Sequence, residues 1–270
     1  TQVTVSWDAP SDNGGSAITS YTATASPGGA TCTSSSTSCV VTGLLNGTDY
    51  TFTVVATNPA GGSSPSNASS PITPLAVSGA PTSVSGSAGN TQVTVSWSAP
   101  VDDGGSTVTS YTVTASPGGA TCTTASTSCV VTGLTNGTSY TFTAVAANTV
   151  GDSSASSASS SVTPYTISNA PTSVSGSAGN TQVTVSWSAP VDDGGSSVTG
   201  YTVTASPGGA TCTTASTSCA VTGLSNGTAY TFTVVATNAA GDSSASTASS
   251  SVTPLAVPGD DLLALMSLSV

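Results

Sequence analysis

The chain has 270 residues and no Lys, Arg, His or Glu; its 11 charges are all Asp, for a net charge of −11. Charged residues make up 4% of the chain, where ordinary soluble domains carry about a quarter, so Ser, Thr, Asn and the backbone must supply the polar surface. No cation is present to neutralise phosphate, which excludes nucleic acid and anionic membrane surfaces as partners. No His or Lys is present to act as a base, which argues against an enzyme.

The sequence Thr1-Gln2-Val3-Thr4-Val5-Ser6-Trp7 returns at Thr91–Trp97 and again at Thr181–Trp187, a period of 90 residues. A fixed period of this size means an array of like modules. Hydrophobic residues are 36% and aromatics 5%, enough for a thin core in each copy. In the middle copy, the alternation of Gln92–Trp97 predicts a half-buried strand with Val93, Val95 and Trp97 inward. Ala99–Gly105 is a breaker cluster and a loop. Strands follow in Val108–Ala115, Thr121–Thr124 and Ser128–Thr132, then an Asn136-Gly137 turn, the long alternating strand Tyr140–Ala146, and a last strand in Ser159–Thr163. Short alternating strands in each copy, with turn signals between them and no helical period, predict an all-β fold of antiparallel β-sandwiches.

The six Cys fall as one pair per copy, Cys32/Cys39, Cys122/Cys129 and Cys212/Cys219. This reads as one disulfide per domain and an oxidising, extracellular location, secreted or at the cell surface. The chain does not start with Met and shows no signal peptide, so a mature or trimmed product is expected. Its apolar tail, Leu262 to Val270, is far shorter than the ~20 residues of a membrane span.

The run Val-Thr-Val-Ser-Trp, then Tyr111-Thr-Val, then Gly133-Leu134 to Tyr140-Thr-Phe-Thr, with Asn148 to follow, resembles a fibronectin type III domain. The resemblance spans nearly the whole chain in three tandem Ig-like sandwiches, in the Thr/Ser-rich form of bacterial secreted and surface proteins. It implies a first strand ahead of the Trp strand, in Ala80–Gly86 of the middle copy, and that Trp7, Trp97 and Trp187 are core residues. It also implies that Tyr50, Tyr140 and Tyr230 are tyrosine corners, bonded back to backbone near Leu44, Leu134 and Leu224. The Cys pairs depart from the commonest form of the family. No Arg-Gly-Asp motif is present. The expected domains are 1–76, lacking its first strand, then 77–166 and 167–257, with 258–270 as an apolar tail.

Asp102, Asp103 and Asp152, repeated as Asp192, Asp193 and Asp242, fall in loops that such a fold brings to one pole. They would begin a calcium site, or Asp and Gly simply make turns there; no other metal or cofactor is expected. Asn46, Asn67, Asn136 and Asn226 match the N-glycosylation pattern, so glycans are candidate additions, although Asn-Gly turns account for three of them. The tail alternates through Leu262, Ala264, Met266, Leu268 and Val270. It matches in length the strand absent ahead of Val3, Val5 and Trp7 in the first copy. One reading follows from strand addition: a fibre subunit, its partners copies of itself joined head to tail. The other reading is a spacer or adhesion array trimmed from a larger secreted protein, such as a polysaccharide-active enzyme. The lack of Lys and Arg leaves trypsin-like proteases no site in either case.

Overall fold

The structure, a computed structural model, describes residues 1–256, and every regular element among them is a β-strand. The first repeat contributes β1 (Gln2–Ser6), β2 (Ser20–Ser26), β3 (Thr31–Ser34), β4 (Ser38–Thr42), β5 (Thr51–Asn58) and β6 (Gly61–Gly62). The middle repeat contributes β7 (Thr82–Gly89), β8 (Gln92–Ser98), β9 (Ser110–Ser116), β10 (Thr121–Thr124), β11 (Ser128–Thr132) and β12 (Thr141–Ala147). The third contributes β13 (Thr172–Gly179), β14 (Gln182–Ser188), β15 (Gly200–Ser206), β16 (Thr211–Thr214), β17 (Ser218–Thr222), β18 (Thr231–Asn238) and β19 (Gly241–Asp242). The chain divides into two compact units. One holds Thr1–Gly86, Val95–Cys129 and Thr141–Ser160; the other holds Ser87–Thr94, Val130–Tyr140 and, of the described residues, 161–256. The division cuts the middle repeat, so the segment joining one repeat to the next lies inside a unit in both instances.

The third repeat, wholly in the second unit, shows the architecture in full. One sheet has the order β13-β14-β17 and the other β16-β15-β18-β19, all antiparallel. Alternation in β18 (TFTVVATN) buries Phe232, Val234, Ala236 and Asn238 in turn. Its register sets Phe232 opposite Ala205, Val234 opposite Val203 and Ala236 opposite Tyr201. These inner faces meet Val183, Val185, Trp187 and Val221 of the other sheet in one core. Phe232 and Tyr201 each stand opposite an alanine, and valine faces valine between them, so the layers fill without overlap.

The last predicted strand, Ser159–Thr163, does not form; only an isolated bridge joins Val162 to Tyr140, and no copy forms the strand there. The chain instead touches the neighbouring strand at every third residue. Ser243, Ser246 and Ser249 each donate their backbone N–H to Ala236, Val234 and Phe232 carbonyls, at 2.8–2.9 Å. Each Ser Oγ accepts the N–H of that same partner residue, at 2.9–3.1 Å, and donates to the carbonyl of the residue after itself. A hydroxyl thus replaces the carbonyl a regular ladder would supply, and the N–H and carbonyl of each partner residue are both satisfied. Ser153, Ser156 and Ser159 repeat the arrangement on β12. Ser246 is buried whereas its counterpart Ser66 is exposed. Ser246→Ala is therefore expected to cost about 1–3 kcal/mol, because it orphans the buried Val234 N–H. Ser66→Ala should cost less, and denaturant melts of the two variants compare them.

In the first repeat β1 pairs only with β4 (Val3 opposite Val41, Val5 opposite Cys39). Among the described residues its other edge has no partner, whereas β14 has β13 there. The effect is visible in the core: Val3 and Val5 keep 9% and 8% exposure, against 0% for Val183 and Val185. Trp7 is half-buried, and a slot opens beside it, lined by Trp7, Pro10, Tyr21, Val54 and Pro65. The expected acceptor edge, Val3, Val5 and Trp7, is thus open among the described residues. The expected donor residues Leu262, Ala264, Met266, Leu268 and Val270 lie outside them.

Candidate functional site

The chemistry-bearing residues of this chain gather where one repeat joins the next, and the Asp-Asp-Gly-Gly loop builds the joint. Asp102 Oδ1 accepts the Gly104 N–H and Asp103 Oδ1 accepts the Gly105 N–H, both at 2.8 Å. Two consecutive side-chain turns of this kind drive both glycines to positive φ, +74° and +78°. The loop then offers bare backbone, against which the segment leaving the first repeat docks. Ala76 N–H donates to Gly104 O at 2.9 Å and Gly79 N–H to Asp102 O at 2.8 Å. A Cβ added at Gly104 would overlap the Ala76 carbonyl, and one at Gly105 would overlap the Gly47 amide of the first repeat's Asn-Gly turn. Only glycine allows this approach.

Asn148 pins the joint. Its Nδ2 donates to Ala76 O and to Asp103 O, each at 2.8 Å, and its Oδ1 accepts Val150 N–H and Gly151 N–H. Both amide protons and the carbonyl oxygen are used, and the residue is 7% exposed. The second joint, inside the other unit, repeats the plan. Thr166 N–H donates to Gly194 O and Asn169 N–H to Asp192 O. Asn238 Nδ2 donates to Thr166 O at 2.8 Å and Asp193 O at 2.7 Å. The linker side chains change from Leu75-Ala76-Val77 to Tyr165-Thr166-Ile167 while the bonds persist, so the joint reads backbone. Neither Asn nor the paired glycines stood out as functional in the sequence. The recurring Asn58, Asn148 and Asn238, each paired with a Gly-Gly loop, were the available signal.

The calcium candidates Asp102, Asp103, Asp152, Asp192, Asp193 and Asp242 are not brought together. Among the described residues no three metal-ligating side chains cluster. Asp102, Asp103, Asp192 and Asp193 each commit an oxygen to a loop N–H, and Asp242 accepts the Thr237 hydroxyl at 2.6 Å. Turn formation is what Asp102, Asp103, Asp192 and Asp193 do here.

The remaining candidates sit in the framework. Tyr50, Tyr140 and Tyr230 hydroxyls accept the N–H of Leu45, Thr135 and Ser225 at 3.0–3.1 Å. Trp187 lies 5.3 Å from Tyr201 between ring centroids, and Trp7 and Trp97 pair likewise with Tyr21 and Tyr111. Cys32–Cys39, Cys122–Cys129 and Cys212–Cys219 are disulfides with Cα separations of 6.0–6.3 Å. The first ties β3 to β4, and so links the two sheets. Each closes a short loop, so reduction is expected to remove about 2–3 kcal/mol per repeat, read as a fall in melting temperature on adding dithiothreitol. Of the glycosylation candidates, Asn136 accepts Thr91 N–H and donates to Asn90, and Asn226 does the same with Thr181 and Asn180. Asn46 Oδ1 accepts from the Thr1 amine, and Asn67 is exposed.

Comparison with known proteins agrees with this framework. Exoglucanase B of Cellulomonas fimi is 36% identical over 272 aligned residues, spanning 94% of this chain and 24% of the exoglucanase. Exoglucanase A of the same organism is 40% identical, spanning 92% of this chain and 30% of the exoglucanase. The chain therefore spans less than a third of the curated relatives it matches. Among solved structures, the FN1–FN3 domains of chicken CNTN1 align over 95% of both chains at 22% identity and a TM-score of 0.39. The sequence model of the Fibronectin type III domain matches at residues 1–72, 79–163 and 169–252, and the chain belongs to the fibronectin type III family, as three consecutive domains.

Proposed function

We propose that this chain is a non-catalytic spacer array within a larger extracellular polysaccharide-active enzyme, holding the enzyme's working parts at a fixed separation. The observation that carries this reading is the pattern of similarity. Two exoglucanases match over more than nine-tenths of this chain, yet the match takes up only 24% and 30% of their length. A shared segment of that size is a module within the enzyme rather than the enzyme. The joints support a spacer of set geometry, because linkers bonded along their backbone resist pivoting. The three disulfides support an oxidising, extracellular setting. The fibre reading draws on the open edge of β1, but a strand ahead of Thr1 in a longer chain would fill that edge equally well. The relatives favour the spacer.

The test places the array between a cellulase catalytic domain and a cellulose-binding module. Shortening it by whole repeats should change turnover on insoluble cellulose and leave turnover on a soluble oligosaccharide unchanged. The isolated chain should neither hydrolyse nor bind cellulose. Cellulose binding by the array alone would replace the spacer reading with a binding one.

A further inference from the structure

The pole of the first repeat is a copy of the surface that receives a linker in both joints, and no linker covers it among the described residues. Its loop Asp12-Asn13-Gly14-Gly15 makes the same two side-chain turns, with Asp12 Oδ1 accepting Gly14 N–H at 2.8 Å and Asn13 Oδ1 accepting Gly15 N–H at 2.9 Å. Both glycines hold positive φ, +69° and +81°. Asn58 stands where Asn148 and Asn238 stand and makes their bond to the loop, Nδ2 to Asn13 O at 2.8 Å. The other bond, to a linker carbonyl, has no acceptor among the described residues.

The contrast in packing is sharp. A Cβ at Gly104 or Gly194 would overlap a linker carbonyl; at Gly14 it would meet only Asn58 Nδ2 at 3.5 Å, and at Gly15 nothing within 4 Å. Gly14 and Gly15 are exposed where Gly104 and Gly194 are buried. Positive φ alone favours glycine at these positions. It does not account for an Asn aimed across the same loop with a donor to spare, nor for the shallow groove lined by Pro10, Asn13, Gly14, Ile18, Asn58 and Gly61.

We infer that this pole is a docking site for the linker of a further fibronectin type III repeat joined ahead of Thr1 in the same polypeptide. The occupant is an extended backbone segment. It offers one carbonyl to Asn58 Nδ2 and two N–H groups to the carbonyls of Gly14 and Asp12, as Ala76 and Gly79 do one repeat later. The chemistry recognised is main chain, so linkers as different as Pro74–Gly79 and Pro164–Asn169 both qualify. The inference stands on the geometry of the two joints and is independent of the spacer reading.

The test is a lengthened chain in which a copy of residues 1–90 precedes Thr1, compared with the 270-residue protein by amide hydrogen exchange and NMR. In the lengthened chain the two N–H groups of the added linker should exchange at least about tenfold more slowly than in an unstructured peptide. One Asn58 side-chain proton should gain the same protection. Gly14→Ala should abolish both effects in the lengthened chain while leaving the exchange of β2 and β5 amides slow, which separates loss of docking from loss of fold. Added-linker amides that exchange at free-peptide rates would overturn the proposal. So would dimers of the 270-residue chain in sedimentation that vanish on truncation after Ala256, because the occupant would then be a second copy.

Discussion

Replacing Gly104 by alanine is expected to break the first joint, at a cost of about 2–5 kcal/mol. Part of that is strain: a non-glycine residue at φ +74° costs about 1–3 kcal/mol. The rest is overlap, because the new Cβ falls on the Ala76 carbonyl and the docked linker must move. Moving it breaks Ala76 N–H to Gly104 O and pulls Ala76 O away from Asn148. Gly14→Ala is the matched control. The local turn is the same and φ is similar, at +69°, but no linker lies above it in the described residues, so only the strain remains. Denaturant melts of the two variants read the difference. A cost for Gly14→Ala equal to that of Gly104→Ala would mean that the loop, and not the joint, demands glycine.

Phe232→Ala should be the most damaging core substitution in the third repeat, at about 3–5 kcal/mol. Phe232 is fully buried and faces Ala205 across the sheet. Its backbone is held on the other side by Ser249, which takes both its N–H and its carbonyl. The small partner cannot close over the hole, so most of the cavity would persist. For a domain of this size the expected fall in melting temperature is on the order of 20 °C. Val101→Ser is the contrasting case. Val101 is hydrophobic but fully exposed in the Asp102 loop, and its replacement should change stability by no more than about 0.5 kcal/mol. Thermal unfolding of both variants decides whether inward phase, and not hydrophobicity alone, identifies the core.

Much of the sandwich can be read from residue order. Strict alternation in Gln92–Trp97 and Tyr140–Ala146 marks β8 and β12 because one face of each is buried and side chains alternate with period two. The tyrosine corners follow from the family pattern around Leu134 and Tyr140. The last predicted strand, Ser159–Thr163, gives way to another arrangement for a physical reason. Ser153, Ser156 and Ser159 contact their partner with period three, and their hydroxyls perform bonding that a strand would leave to its backbone, so no alternation announces it. The Asp loops admit two readings in sequence because carboxylate oxygens serve calcium and turn N–H groups alike; only the fold shows these oxygens committed to loop N–H groups. The joints were invisible because they are made of main chain. Their linkers share little beyond Pro74 and Pro164 and Ser78 and Ser168, and a carbonyl leaves no mark in a sequence. Asn148 and Gly104 were the legible half of a contact whose other half carries no side-chain signature.

Amide hydrogen exchange in the linkers of the native chain tests the central claim, that successive repeats are locked rather than loosely strung. The N–H groups of Ala76, Gly79, Thr166 and Asn169, each bonded into the following loop, should exchange as slowly as amides within β2 and β15. Exchange of these four at the rate of an unstructured peptide, with the strands still protected, would show free pivots and contradict the account.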